Sequence, residues 1–281
     1  MSILVTGFTG KVGSAVAESL KEHGMSFTCA VRNVEKAKRE YGDSYSFVNL
    51  DLTDPSTFEQ ALVGIDKVFL MYPPGGEIQF DAFLEAIRTN GISHIVYLSV
   101  KDVQFLPFIH HYKNEKAIRK LGVPYTFIRA GYFMQNLEDV LSEEIRQRQR
   151  IFIPAGKGKT SFADTRNLAE VALRSFQNPS AHLNKHHVIT GDKAVDFYRV
   201  AEIMTMALGK RIDYTNPSVK EFKSFMVGKG ADESFVNVVI GIHFPTKLGL
   251  AKGVTKEFET ITGRKPISIE RYIEDNRNEW L

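Results

Sequence analysis

The chain has 281 residues, 43% hydrophobic and 25% charged, with a net charge of +3. That is the composition of a globular protein with room for a nucleotide-binding domain and a smaller lobe. No Lys/Arg run is present of the kind a nucleic-acid partner requires. Cys29 is the only cysteine, which excludes an internal disulfide or thiolate metal cluster, and no signal peptide or membrane-length apolar run is visible, so a cytoplasmic protein with no membrane partner and no metal is expected.

Residues 3–5, Ile-Leu-Val, predict a buried strand. Gly7, Gly10 and Gly13 follow at a spacing of three. Val12, Val16 and Leu20 then form a helical stripe that stops at His23-Gly24. Strand, glycine turn and helix make the arrangement a pyrophosphate needs. The first glycine permits the turn, the second admits the phosphates, and the third lets helix and strand pack closely.

A second strand, 27–31, runs into Arg32. An acid at this point would bind a ribose 2′-hydroxyl; an arginine fork suits a 2′-phosphate, with Lys36 one turn further on. A third strand, 46–50, ends at Asp51-Leu52. Asp51 is placed to bond the adenine edge, or to serve only as a turn residue; Leu52 is placed to pack on the base. Asp54-Pro55 starts a helix that Gly64 ends.

Strand four, 67–72, is broken by Pro73-Pro74-Gly75-Gly76, which puts Met71, Tyr72 and Pro73 at a carboxyl strand end beside the expected cofactor. A helix over about 78–89, strand five over 94–99, a helix over 108–121 and strand six over 123–129 continue the alternation. Ser99 closes strand five, where open α/β sheets bind ligands, or it caps backbone there. The fold predicted is α/β: a Rossmann-type doubly wound parallel sheet. A smaller α-rich C-terminal lobe should bind the substrate. The boundary is expected after residue 152, giving domains 1–152 and 153–281, the second discontinuous with segments returning to the sheet. Beyond 135 the pattern predicts helices at 137–148, 165–177, 196–208 and about 218–227, with short strands at 151–154, 187–190 and 212–214. The apolar stretch 231–250 reads equally as a lid or as packed helices, and a final helix starts near Ser268.

Tyr112 and Lys116 spell Tyr-x-x-x-Lys, the catalytic pair of short-chain dehydrogenases. With ten tyrosines in the chain, about one such match is expected by chance, and Tyr97 with Lys101 forms another. Asn114, Ala117, Ile118 and Leu121 mark the inward helix face. Lys116 then points nearly opposite Ile118, while His111, about two turns before Ile118, shares its azimuth. His111 is therefore the candidate catalytic residue. His182 and His186 are read as surface histidines, not metal ligands.

Together, Thr6-Gly-Phe-Thr-Gly-Lys-Val-Gly13, Ala30-Val-Arg-Asn33, Asp51-Leu-Thr-Asp54, His111 with Glu115, and Gly122–Asn136 resemble the NmrA-like family of atypical short-chain dehydrogenase/reductases. The resemblance spans essentially the whole chain. It is most like the branch of NADPH-dependent quinone oxidoreductases and triphenylmethane reductases. It implies NADPH bound by Gly7, Gly10 and Gly13, with Thr9, Lys11 and Val12 lining the phosphates and Arg32 on the 2′-phosphate. The family position at the cofactor end of the helix, often Lys, is His111 here, and Glu115 anchors that helix. Tyr132 and Phe133, just after strand six, should border the nicotinamide and the substrate. The implied activity is hydride transfer from NADPH to a quinone or similar conjugated small-molecule acceptor. The alternative is a catalytically weak NADP(H) sensor that binds a protein partner. Oligomeric state is not readable from the sequence.

Overall fold

A computed structural model describes residues 2–73 and 75–281. In chain order the elements are β1 (Ile3–Val5), α1 (Lys11–Glu22), β2 (Phe27–Val31), α2 (Val34–Tyr41), β3 (Phe47–Asn49), α3 (Phe58–Leu62), β4 (Lys67–Leu70), α4 (Phe80–Thr89), β5 (His94–Val100), α5 (His110–Leu121) and β6 (Tyr125–Ala130). There follow β7 (Tyr132–Phe133), α6 (Asn136–Arg148), β8 (Arg150–Ile151), β9 (Thr160–Ala163), α7 (Thr165–Gln177), α8 (Pro179–His182) and β10 (Lys185–Ile189). The chain ends with β11 (Ala194–Val195), α9 (Phe197–Leu208), β12 (Asp213–Tyr214), α10 (Val219–Gly228), α11 (Glu233–Lys247), α12 (Glu257–Thr262) and α13 (Ile269–Asp275).

The chain divides into two units. The first comprises Met1–Ala130, Thr165–Ile189 and Glu257–Arg264. Its sheet has seven parallel strands in the order β10-β6-β5-β4-β1-β2-β3. β1 is an interior strand and its three side chains are fully buried, as a continuous apolar run requires in a sheet covered on both faces. One face packs Phe80, Phe83 and Leu84 of α4 and Ile118 of α5 against Leu4, Val68 and Phe127. On the other, α1 lies against α7. β1 sits between β2 and β4, so connections leave it in opposite directions and a crevice opens at the carboxyl ends of the strands.

β4 stops at Leu70, short of the expected 72, because a side chain takes over the pairing. The Met71 N–H donates to Thr6 Oγ1 (2.8 Å), and Thr6 Oγ1 donates to the Phe69 carbonyl (3.1 Å).

The second unit comprises Gly131–Asp164, Thr190–Lys256 and Lys265–Leu281. The boundary expected after 152 falls after Ala130, because Leu137, Leu141 and Ile145 of α6 share a core with Phe162, Phe197 and Met204. β7, β9 and β11 form a small sheet and β8 pairs with β12. The stretch 231–250 holds a single helix, α11, capped by Asp232 and packed on α10. No described helix is long and apolar enough to cross a membrane.

Candidate functional site

The three glycines at the start of α1 have three different reasons to be glycine. Gly7 has φ +68°, in the left-handed region, and a Cβ there would stand 2.7 Å from the Met71 sulfur. Gly13 is in contact with backbone: a Cβ would lie 2.1 Å from the Gly7 carbonyl oxygen. A Cβ on Gly10 would meet only that same oxygen, at 3.4 Å. Gly10 therefore keeps open space in front of the turn, which side chains would otherwise fill. Gly10 is also the N-cap of α1, with no side-chain cap, so the first N–H groups of the helix need an outside acceptor. Thr9 and Lys11 are exposed beside it, while the Val12 side chain is 2% exposed. The Val12 side chain belongs to the core, which leaves its backbone N–H to line the turn. The sequence reading missed Phe8, which packs edge-on against Tyr41 and Phe47 and anchors the turn from behind.

A cleft of about 550 Å³ adjoins the turn. Thr9, Arg32, Asn33 and Lys36 line it, together with Glu40 and Tyr41 of α2. Asn33 caps α2 by accepting from the Lys36 N–H (2.8 Å). The strand end delivers Arg32 and the helix delivers Lys36, so two cations and the polar Thr9 face one space. Lys36, expected one turn beyond Arg32, lines the same cleft.

Asp51 is a turn residue. Its Oδ1 accepts from the Thr53 N–H (2.9 Å) and hydroxyl (2.8 Å). Those bonds, with Arg32 nearby, hold its carboxyl below the usual range. Leu52 is 7% exposed and lies in the core with Leu50 and Phe58, so the expectation that it packs on the adenine is not met. Ser99 is likewise 1% exposed. Its hydroxyl donates to Glu115 Oε1 (2.7 Å), which leaves it no role facing the crevice.

Glu115 is clasped by Arg129, whose Nε and Nη2 donate to its two oxygens at 2.9 and 2.7 Å. Burial of Glu115 opposes its ionisation, but Arg129 and Ser99 outweigh this and its carboxyl titrates below the usual range. The pair fixes α5 to β5 and β6 and thereby sets the direction of the helix start.

At that start His111 Nδ1 lies 2.9 Å from the Tyr97 hydroxyl, which accepts from the Asn114 amide (3.0 Å). With its oxygen accepting from Asn114, the Tyr97 hydroxyl can donate to Nδ1, which would place the His111 proton on Nε2. Burial pushes the imidazole below its ordinary range, so it is neutral near pH ~7. Tyr97 and Asn114 were not foreseen as its partners; Asn114 is one helical turn away.

Tyr112 and Lys116 line a separate 820 Å³ groove between α4 and α5, with Phe80, Leu84 and Leu121 on its floor. Lys116 is exposed. Tyr72 stacks on His110 at one end of the groove, centroids 4.9 Å apart. Met71 lies over Gly7 and Pro73 is partly buried; Pro74 lies outside the described residues.

In the second unit, Tyr132 and Phe133 form β7, paired with β9. The Tyr132 hydroxyl donates to His243 Nε2 (3.0 Å), whose Nδ1–H is given to the Val239 carbonyl (2.7 Å). This bond fixes the tyrosine ring.

The NmrA-like family model matches residues 1–273. Over 270 residues the chain is 30% identical to the NAD(P)H azoreductase of Xenophilus azovorans, covering 93% of each. It is 26% identical over 262 residues to quinone oxidoreductase 2 of Escherichia coli strain K12, covering 89% of this chain and 88% of that one. The solved Citrobacter sp. triphenylmethane reductase complexed with NADP(H) has the same fold: TM-score 0.87, 24% identity, 98% of this chain and 99% of that one.

Proposed function

The chain belongs to the NmrA-like family, and from that premise we propose that it is an NADPH-dependent oxidoreductase that reduces a quinone or similar conjugated acceptor. The observation that carries this is the pairing of a glycine turn open only at Gly10 with the adjoining cleft that holds Arg32 and Lys36. An exposed helix N-terminus suits a pyrophosphate, and two cations beside it suit a further phosphate on the ribose.

When bound, NADPH supplies the hydride. The backbone of Gly10 to Gly13 binds the pyrophosphate, with Thr9 and Lys11 alongside it. Arg32 and Lys36 hold the 2′-phosphate, Asp51 sits at the adenosine end, and Met71, Tyr72 and Pro73 border the cofactor farther along. His111 presents its Nε2–H as a hydrogen-bond donor to the oxyanion left on a reduced acceptor. A neutral imidazole with a lowered pKa orients that oxygen, and the proton comes from water. Tyr132 and Phe133 are assigned to the acceptor, Tyr132 with its ring held by His243.

The test is NADPH oxidation followed with a panel of benzoquinones, naphthoquinones and azo dyes, alongside NADPH titration. Turnover with quinones is expected. Tight NADPH binding with no turnover on any acceptor would overturn the enzyme and favour the sensor.

A further inference from the structure

Helix α11 is apolar on more than one side. Val236, Val239, His243 and Thr246 face the core of the second unit and are buried. Phe235, Val238 and Ile242, spaced i, i+3, i+7, form a second stripe that is 43–58% exposed. Past the helix, Leu248 is 55% and Leu250 65% exposed. A helix covering one core needs one apolar face; a second, left in water, marks an interaction surface.

Beyond the helix start, where Asp232 caps the helix and Glu233 pairs with Lys223, the charges along this surface have one sign. Residues 234–256 contain no Asp or Glu, and neither do residues 145–163. The two segments lie together. A Cβ on Gly158 would stand 1.6 Å from the Thr246 carbonyl oxygen. Ser161 donates its N–H to Ala251 (3.2 Å) and its hydroxyl to Gly253 (2.9 Å). Lys157, Lys159, Lys247 and Lys252 are all exposed there, and none makes an ion pair among the described residues.

We propose that this face of the second unit docks on an anionic lipid bilayer, its Phe, Ile and Leu side chains entering the headgroup layer and its lysines meeting acidic headgroups. Exposed apolar side chains with unpaired lysines at one end, and acids only at the capped helix start, match the composition of an interfacial helix. A second copy of this chain fits less well, because a twofold contact would bring the same unpaired lysines face to face. This surface is independent of which acceptor the enzyme reduces.

The experiment is co-sedimentation of the full chain with vesicles of phosphatidylcholine alone and of equal parts phosphatidylcholine and phosphatidylglycerol. Binding is expected only to the anionic vesicles and should fall as salt is raised. The double variants Leu248→Ser/Leu250→Ser and Lys157→Glu/Lys159→Glu should each lower partitioning by at least about tenfold, with melting temperature and NADPH affinity unchanged. Wild-type protein that stays in the supernatant with anionic vesicles overturns the proposal, as do variants that sediment like wild type. So does a dimer in sedimentation velocity that Leu248→Ser/Leu250→Ser disperses, since the patch would then be a contact between copies.

Discussion

At the scale of single residues, the glycine turn separates binding from folding. Gly10→Val adds its side chain on the open side of the turn, where only the Gly7 oxygen is near. The variant should keep its melting temperature and lose NADPH affinity by at least about a hundredfold, a lost interaction of roughly 3 kcal/mol. Gly13→Ala should do the reverse first: its Cβ must displace the Gly7 backbone, so the melting temperature drops, by the ~1–3 kcal/mol typical of overpacking. Thermal denaturation and fluorescence titration of both variants separate the two effects. Arg32→Ala should erase most of the preference for NADPH over NADH, at least about tenfold, through weaker NADPH binding, since charge-assisted bonds contribute ~1.5–3 kcal/mol. Equal affinities in the wild type would show the arginine to be an ordinary surface residue. For His111→Ala, turnover should fall moderately, by less than about a hundredfold, because a stabilised hydroquinone anion needs no enzymic acid. Tyr112→Phe and Lys116→Ala should cost little, as both line the α4–α5 groove. In the proposed role the neutral imidazole is the working form, and burial lowers its pKa. The contribution of His111 to turnover is therefore retained through pH ~6.5 and lost only as pH falls below that. A hundredfold loss in Tyr112→Phe with an active His111→Ala would reverse these roles.

At the scale of elements, β5, β6, α8, β10 and α12 are joined by a chain of polar bonds. The His94 Nε2–H donates to Thr126 Oγ1 (2.9 Å), which donates to the His182 carbonyl (2.9 Å). His182 Nδ1 meets His187 Nε2 (3.0 Å), and His187 faces Glu257. His182 and His187 are buried, so the expectation of a surface histidine at 182 is corrected: α8 turns it inward toward β10. His94 Nδ1 is buried without a partner, and Lys67 and His182 lie close enough to disfavour a further positive charge. Burial first, and those charges second, push His94 down to about 4; His182 is also pushed to about 4, by burial and by His187 and Lys185. The sign follows directly. Unfolded histidine takes up protons from pH ~6.5, whereas these two do so only near 4, so stability is complete above ~6.5 and is lost as pH falls toward 4. The melting temperature should decrease across that window, and His94→Gln, which keeps a donor for Thr126, should flatten the decrease. A melting temperature that is level from pH 6.5 to about 4 would contradict the buried neutral histidines.

At the scale of the whole molecule, membership of the NmrA-like family rests on a match that runs through both units, residues 1–273. The first unit carries the features that would select the cofactor, and the second carries those assigned to the acceptor. The quinone panel examines the two separately. A change of acceptor preference without a change in NADPH affinity is the expected signature of substitutions at Tyr132 or Phe133.

The local pattern alone determined six of the seven strands of the first unit's sheet, because they are apolar runs punctuated by glycine, proline and capped helices; β10, whose Lys-His-His start is polar, joins only through the tertiary fold. The places of Gly7, Gly10, Gly13 and Arg32 in the fold were legible for the same reason, since they follow from position relative to a strand end. The outward direction of Lys116 followed from helical periodicity. What the sequence could not decide depends on distant partners. Leu52 and Ser99 sit at strand ends as expected, yet the core takes one and Glu115 the other. The surroundings of His111, Tyr97 and Asn114, come from β5 and from its own helix. The boundary moved from 152 to 130 because α6 packs by contacts made far along the chain. The strand β9 went unforeseen because Thr160 and Ser161 are buried polar residues, which no hydrophobic pattern reveals. Periodicity reports which face of an element is apolar; only the tertiary structure supplies what that face, or a buried polar group, meets.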